Sequence, residues 1–204
     1  MEAVYDGYIS KYINRRLSDP MASLLAKTRI TPNQISWAAF IIAILSFISF
    51  VYSQNIIGGI LVQLSSIVDG VDGRLARLKG IASSFGGFLD SILDRYADIL
   101  IVLGLTLWSS SHETYPGIWL VGFLAITGTI CISYTRARID LNHRHLFDKG
   151  LKSLASRDIR LFLIMVGAVV GQAYFCLIII AVLTNLVVFY RLFYVYKNLR
   201  QEAK

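Results

Sequence analysis

Cysteine and charge are both scarce in this chain. Only two cysteines occur, Cys131 and Cys176, each inside an apolar stretch. There a small buried hydrophobe is the ordinary role, and neither a disulfide framework nor a thiolate zinc site finds support. Charged residues make up 16% of the 204 residues against 55% hydrophobic, and the mean hydropathy is +0.60. An ordinary soluble domain carries about 25% charged residues, so a bilayer is the natural solvent. A secretory leader is also missing: residues 1–30 hold Asp6, Lys11, Arg15, Arg16, Asp19, Lys27 and Arg29, with no apolar core segment. Insertion therefore relies on internal spans. There is no repeat, no low-complexity run and no second soluble domain. Net charge is +7, but the basic residues fall in short patches between long uncharged stretches. That pattern argues against a nucleic-acid face and for a membrane surface.

A spanning helix needs about 20 mostly apolar residues. Six candidates are present, giving an all-α integral membrane fold. They cover residues 32–53, from 54–59 to 79, 82–108 and 116–136, and a long uncharged block, 161–190, that divides near 171–174. Thr31 followed by Pro32 is a strong helix start for the first. Charge decides the division of the last block. Read as one span, it would place Lys149, Lys152, Arg157 and Arg160 across the membrane from Arg191, Lys197, Arg200 and Lys204. The positive-inside rule forbids that. With six spans the connections at 53–59, 109–115 and 171–174 hold no lysine or arginine, which places both termini and the remaining connections in the cytoplasm. Residues 1–30 read as a juxtamembrane amphipathic segment before a six-helix domain, 31–204. In that segment Tyr8, Tyr12, Ile13 and Arg16, then Leu17, Met21, Leu24 and Leu25, lie at helical spacing, as in an interfacial helix. A soluble arm is the alternative. Trp37, Trp108 and Trp119 fall near span ends, where amphipathic rings settle at the interface.

The second and third spans are abnormal. Their clean apolar runs, 56–68 and 99–108, are too short to cross alone, and between them stand Asp69, Asp72, Asp90, Asp94 and Asp98. An aspartate at the centre of a membrane helix costs about 2.5–3.5 kcal/mol, so something must shelter these groups. Asp69, Asp72, Gly73, Ala76 and Arg77 are three or four residues apart and share one helix face; Gly86, Asp90 and Asp94 repeat the pattern on the next helix. The two helices are antiparallel neighbours across the short 79–82 connection, so their carboxylates can oppose each other. Such a group suits one or two hard cations such as magnesium, with sites left for water or phosphate oxygens. Gly73, Ala76 and Gly86 leave room for a ligand's phosphates, or for close helix packing. Asp98 continues the face one turn deeper, where it joins a metal network, pairs with Arg95 or fills a buried hydrogen-bond role.

This string, Asp69-Gly70-Val71-Asp72-Gly73-Arg74-Leu75-Ala76-Arg77, then Gly86, Asp90 and Asp94, resembles the complete signature of the CDP-alcohol phosphotransferase family. The resemblance covers nearly the whole chain, including the Thr31-Pro32-Asn33-Gln34 approach to the first span. It implies a transferase that moves a substituted phosphate group from a CDP-alcohol to an alcohol acceptor and releases CMP. It also implies two magnesium or manganese ions on Asp69, Asp72 and Asp90, with Asp94 completing a second metal site or serving as base. Asp72, Gly73, Ala76, Arg77 and Gly86 would contact the CDP portion. A homodimer in the plasma membrane with a cytoplasmic active site is implied as well.

The acceptor side is written less sharply. Arg136 and Arg138 after the fourth span, and Arg157 and Arg160 before the fifth, stand near the mouth of the site. They suit phosphate oxygens, or serve orientation and lipid headgroups. These stretches resemble members that accept inositol phosphate. The opening Tyr5-Asp6-Gly7-Tyr8-Ile9-Ser10 through Asn14-Arg15-Arg16 is similar to the join in archaeal proteins where a cytidylyltransferase precedes the membrane domain. That resemblance implies CDP-inositol plus inositol phosphate giving di-inositol phosphate phosphate; CDP-archaeol or CDP-diacylglycerol remains the alternative donor. Two rivals make different demands. A membrane prenyltransferase would carry its acidic motifs on well-separated helices, and an ion transporter would spread carboxylates across the membrane depth. His112, His143 and His145 lack ligand spacing.

Overall fold

The protein is described from a computed structural model, in which residues 12, 14–138 and 155–202 are placed. The stretch 5–10, Lys149, Lys152, His143 and His145 lie outside these residues. Among the described residues there are seven helices and no strand: α1 (Arg15–Leu25), α2 (Pro32–Val51), α3 (Asn55–Lys79), α4 (Ser84–His112), α5 (Ile118–Arg138), α6 (Arg157–Val170) and α7 (Ala173–Glu202).

The helix ends follow from local chemistry. At the start of α2, Thr31 and Gln34 cap each other: the Gln34 amide donates to Thr31 Oγ1 at 3.4 Å, and the Thr31 amide donates to Gln34 Oε1 at 2.9 Å. Pro32 follows at the first helical position, where no amide hydrogen is required. Gly80 ends α3 in the left-handed conformation, φ 66°. The neighbouring Lys79 ammonium donates to the Thr28 and Ile30 carbonyls, both at 2.7 Å, and so ties the end of α3 to the start of α2. Ser83 opens α4 by accepting from the Gly86 amide at 3.0 Å. The long uncharged block does divide: Gly171, φ 72°, stops α6, and α7 begins at Ala173.

One packing relation governs the site. Although α3 and α4 are consecutive, they touch at only a few points, because α2 lies against both. The aspartate helices are therefore not the directly packed neighbours that the short connection suggests. A gap is left between them toward the α3–α4 turn, and the carboxylates project into it. On the other flank α6 packs along α3, and α5 pairs with α7. The α5–α7 approach is close: a Cβ on Gly128 would clash with the Thr184 side chain. The main core joins α2, α3, α4, α6 and α7 through Phe50, Val62, Ile101, Leu105, Leu161, Ile164, Leu177 and Ile180.

Among the described residues four helices are long and apolar enough to cross a bilayer: α2, α3, α5 and residues Ala173–Lys197 of α7. Of the six spans expected, the remaining two, α4 and α6, fall short for physical reasons. Helix α4 carries Asp90, Asp94, Arg95 and Asp98, and α6 has 14 residues, a length of about 21 Å at 1.5 Å per residue. Helix α1 packs on α3 through Ser18 and Ala22 and leaves Leu17, Met21 and Leu24 exposed on its outer side. Trp37 and Trp119 are exposed, but Trp108 is buried against the core and stacked on His112. Helix α4 continues to His112, which places Trp108 a turn inside its end.

Candidate active site

The carboxylates of Asp69, Asp90 and Asp94 converge, with one oxygen from each within 4.8 Å of the others. They come from both sides of the gap, Asp69 from α3 and the other two from α4. Asp72 is buried beside them and held by two donors, Ser36 Oγ from α2 and the Gly73 amide. Helix α2 thus packs on both aspartate helices and also fixes one of their carboxylates. Ser36 was not singled out from sequence; its only signal is a hydroxyl one turn inside an apolar span.

Arg157, at the start of α6, reaches into the cluster. Its Nη1 donates to Asp69 Oδ2 at 2.7 Å and pairs with Asp94 Oδ1 at 2.9 Å, while Nε donates to Asp98 Oδ1 at 3.0 Å. Arg160 points elsewhere. Its Nη2 donates to Asp98 Oδ2 at 2.9 Å and its Nη1 to the Ala155 carbonyl at 2.7 Å, in a buried setting away from the cavity walls. Asp98 therefore pairs with these two arginines rather than with Arg95, which lies 3.4 Å from Asp94 Oδ2. Five sheltered aspartates face two guanidiniums from α6 and that of Arg95, so negative charge is in excess. Hard oxygen donors converging from two helices with surplus charge are the donor set for magnesium or manganese, whose charge would offset the repulsion.

Two cavities of about 290 Å³ each open onto the cluster. The first is walled by Asp72, Gly73, Ala76, Arg77, Gly86 and Asp90, with Ser36, Asn33 and the capping residues Thr31 and Ser83. All five residues expected to touch the CDP portion lie here together. The second holds Asp69, Asp94, Arg136 and Arg157, joined by Arg15, Arg74, Asn14 and Ser66. Arg77 borders both. Arg138 is exposed at the end of α5 and, like Arg160, lines neither cavity. Asn14, which the sequence offers only as part of the N-terminal stretch, is buried, donates to Ser66 Oγ at 3.0 Å, and accepts from Gln63 Nε2 at 2.8 Å.

Residues 29–196 match the family described as CDP-alcohol phosphatidyltransferase. The chain belongs to this family. It is 36% identical over 204 residues to a protein of Thermococcus kodakarensis named bifunctional IPC transferase and DIPP synthase, covering 95% of this chain and 45% of that protein. A protein of the same name from Aquifex aeolicus is 32% identical, with 97% and 46% covered. The chain thus spans about half the length of these curated relatives. Archaetidylinositol phosphate synthase of Pyrococcus horikoshii is 31% identical, with 86% of this chain and 88% of that protein covered. Among solved structures, phosphatidylinositol phosphate synthase of Mycobacterium tuberculosis with CDP-DAG bound superposes with a TM-score of 0.73 at 23% identity, covering 87% of this chain and 92% of that one. The same protein in complex with manganese and citrate gives 0.75 at 22%. Both likenesses show that the helical fold is shared.

Proposed function

We propose that this chain transfers a substituted phosphate group from a CDP-alcohol to an alcohol acceptor and releases CMP. One observation carries the reading: the two cavities share one aspartate cluster. Asp72 and Asp90 face the first, Asp69 and Asp94 the second, and Arg77 borders both. A donor in the first cavity and an acceptor in the second would meet at the carboxylates. Magnesium or manganese bound by Asp69, Asp72, Asp90 and Asp94, two ions in this reading, would neutralise the pyrophosphate and polarise the phosphorus. Gly73, Ala76 and Gly86 let the pyrophosphate approach the helix backbone, and Arg77 pairs with its oxygens. Arg136 and Arg157 hold an acceptor phosphate in the second cavity; Arg138 contributes at its cytoplasmic mouth, and Arg160 acts only by holding Asp98. Asp94 takes the acceptor hydroxyl proton as the new oxygen–phosphorus bond forms and the bond to CMP breaks.

The donor we favour is CDP-inositol, with inositol phosphate as acceptor, as the names of the bifunctional relatives suggest; a cytidylyltransferase fused to or associated with the chain would then supply the donor. A second reading has its own support. Ile81 lines the first cavity, and Phe85 and Phe88 are exposed nearby, an apolar surface suited to the tails of CDP-archaeol or CDP-diacylglycerol. CMP release across a matrix of these three donors, with and without inositol phosphate, tests both readings. Turnover with none of them contradicts the proposal.

Six crossing helices, α2 to α7, fit the charge pattern, with the termini and the site in the cytoplasmic half of the plasma membrane and α1 at its surface. Phe189, Phe193 and Tyr196 are exposed along α7 and suit a homodimer seam, which native mass spectrometry in detergent tests. Gly73→Ala separates site from scaffold. An added Cβ meets nothing nearer than Arg77 Nη1 at 3.5 Å, and alanine is favoured over glycine in a helix interior by about 1 kcal/mol. Thermal stability is therefore expected to hold or rise while the donor KM increases. An unchanged KM would remove Gly73 from the donor site.

A further inference from the structure

We propose that Asp98 is a positioning residue for the acceptor side of the site, acting through Arg157. The inference rests on the reading of the two cavities given above. Asp98 is 2% exposed and lies one turn deeper on α4 than Asp94. Each of its oxygens takes a different guanidinium: Oδ1 accepts from Arg157 Nε at 3.0 Å, and Oδ2 from Arg160 Nη2 at 2.9 Å. With both oxygens engaged by arginine, Asp98 stands apart from the Asp69, Asp90 and Asp94 cluster and is neither ligand nor base.

What it does follows from the shape of the guanidinium. The group is planar and rigid, so holding Nε–H fixes the direction of the whole fork. With Nε bound at Asp98, Nη1 is delivered to Asp69 and Asp94, 2.7 and 2.9 Å away. Arg160 completes the anchor. It bonds Asp98 and the Ala155 carbonyl together, which pins the turn that leads into Arg157. Arg157, Asp69 and Asp94 border the second cavity and not the first. Loss of Asp98 should therefore be felt by the acceptor and spare the donor. A purely structural role, neutralising buried Arg160, makes no such distinction.

The test is a double-mutant cycle on the purified full chain with magnesium, a CDP-alcohol donor that supports turnover, and its acceptor. Rates are measured for wild type, D98N, R157Q and D98N/R157Q, with KM for both substrates. The same cycle is repeated on R160Q, where the guanidinium that D98N would strand is gone. Losing one charge-assisted hydrogen bond predicts a fall of about tenfold to hundredfold in acceptor kcat/KM for D98N, with the donor KM within about twofold. R157Q should behave alike, and the double variant should be no slower than R157Q, because residues acting through one contact are not additive. Multiplied losses, equal damage to both substrates, or a wild-type rate in D98N would overturn the role; if D98N fails to fold, the R160Q cycle decides by the same criteria. A wild-type protein that releases no CMP from any donor sinks the reading of the site and this inference with it, whereas normal wild-type turnover with a multiplicative cycle sinks only the inference.

Discussion

Asp94→Asn is expected to reduce CMP release by about 10²–10⁴-fold, the range that a positioned general base contributes, while the helices and donor binding persist. Asp94 sits where the two cavities meet: it borders the second, lies within the cluster that contains Asp90 of the first, and holds Arg157 Nη1 at 2.9 Å. Asparagine keeps the size and can still accept from Arg157, so the scaffold loses little. What it cannot do is take a proton from the acceptor hydroxyl. The measurement is the initial rate of CMP formation beside the dissociation constant for CDP. Near-normal turnover would remove the base assignment, and loss of CDP binding would move Asp94 to a purely metal-holding role.

Asp90→Asn should be as damaging by a different route. Asp90 faces the first cavity and belongs to the converging trio. Replacing it removes an anionic donor from a site whose charge invites divalent ions, and Lewis-acid stabilisation is worth several kcal/mol. At 1.36 kcal/mol per decade that corresponds to about 10³-fold or more in rate. The loss should ease partly at high magnesium or manganese, because affinity is what has been weakened. EDTA should abolish wild-type turnover and either metal should restore it. Full activity in EDTA, or a D90N rate that ignores metal concentration, would contradict the metal role.

These two aspartates were readable in advance because helical spacing acts over one or two turns. Asp69 and Asp72, and Asp90 and Asp94, had to share faces once their segments were helical. The Thr31-Pro32 start and the break at Gly171 were legible for the same reason, since caps and left-handed stops are decided within a few residues. What sequence could not reveal lies at long range. The position of α2 against both α3 and α4, with Ser36 on Asp72, depends on packing of whole helices. A buried hydrogen-bond role for Asp98 was legible, but its partners lie 59 and 62 positions away on α6, where local spacing offers only Arg95, three residues off on the same helix. Arg136, Arg138, Arg157 and Arg160 looked equivalent as a basic set, yet tertiary contacts divide them. Arg157 reaches the carboxylates, Arg136 borders the second cavity, Arg138 is exposed, and Arg160 is buried as an anchor.

The claim beneath all of this is that opposed carboxylates from α3 and α4 bind divalent ions that in turn hold a cytidine nucleotide. Calorimetric titration of CDP into the purified chain, with manganese and then with EDTA, addresses it most directly. Saturable binding that needs the metal and disappears in D69N/D90N is the expected result; equal affinity without metal, or undiminished binding in that variant, would contradict it.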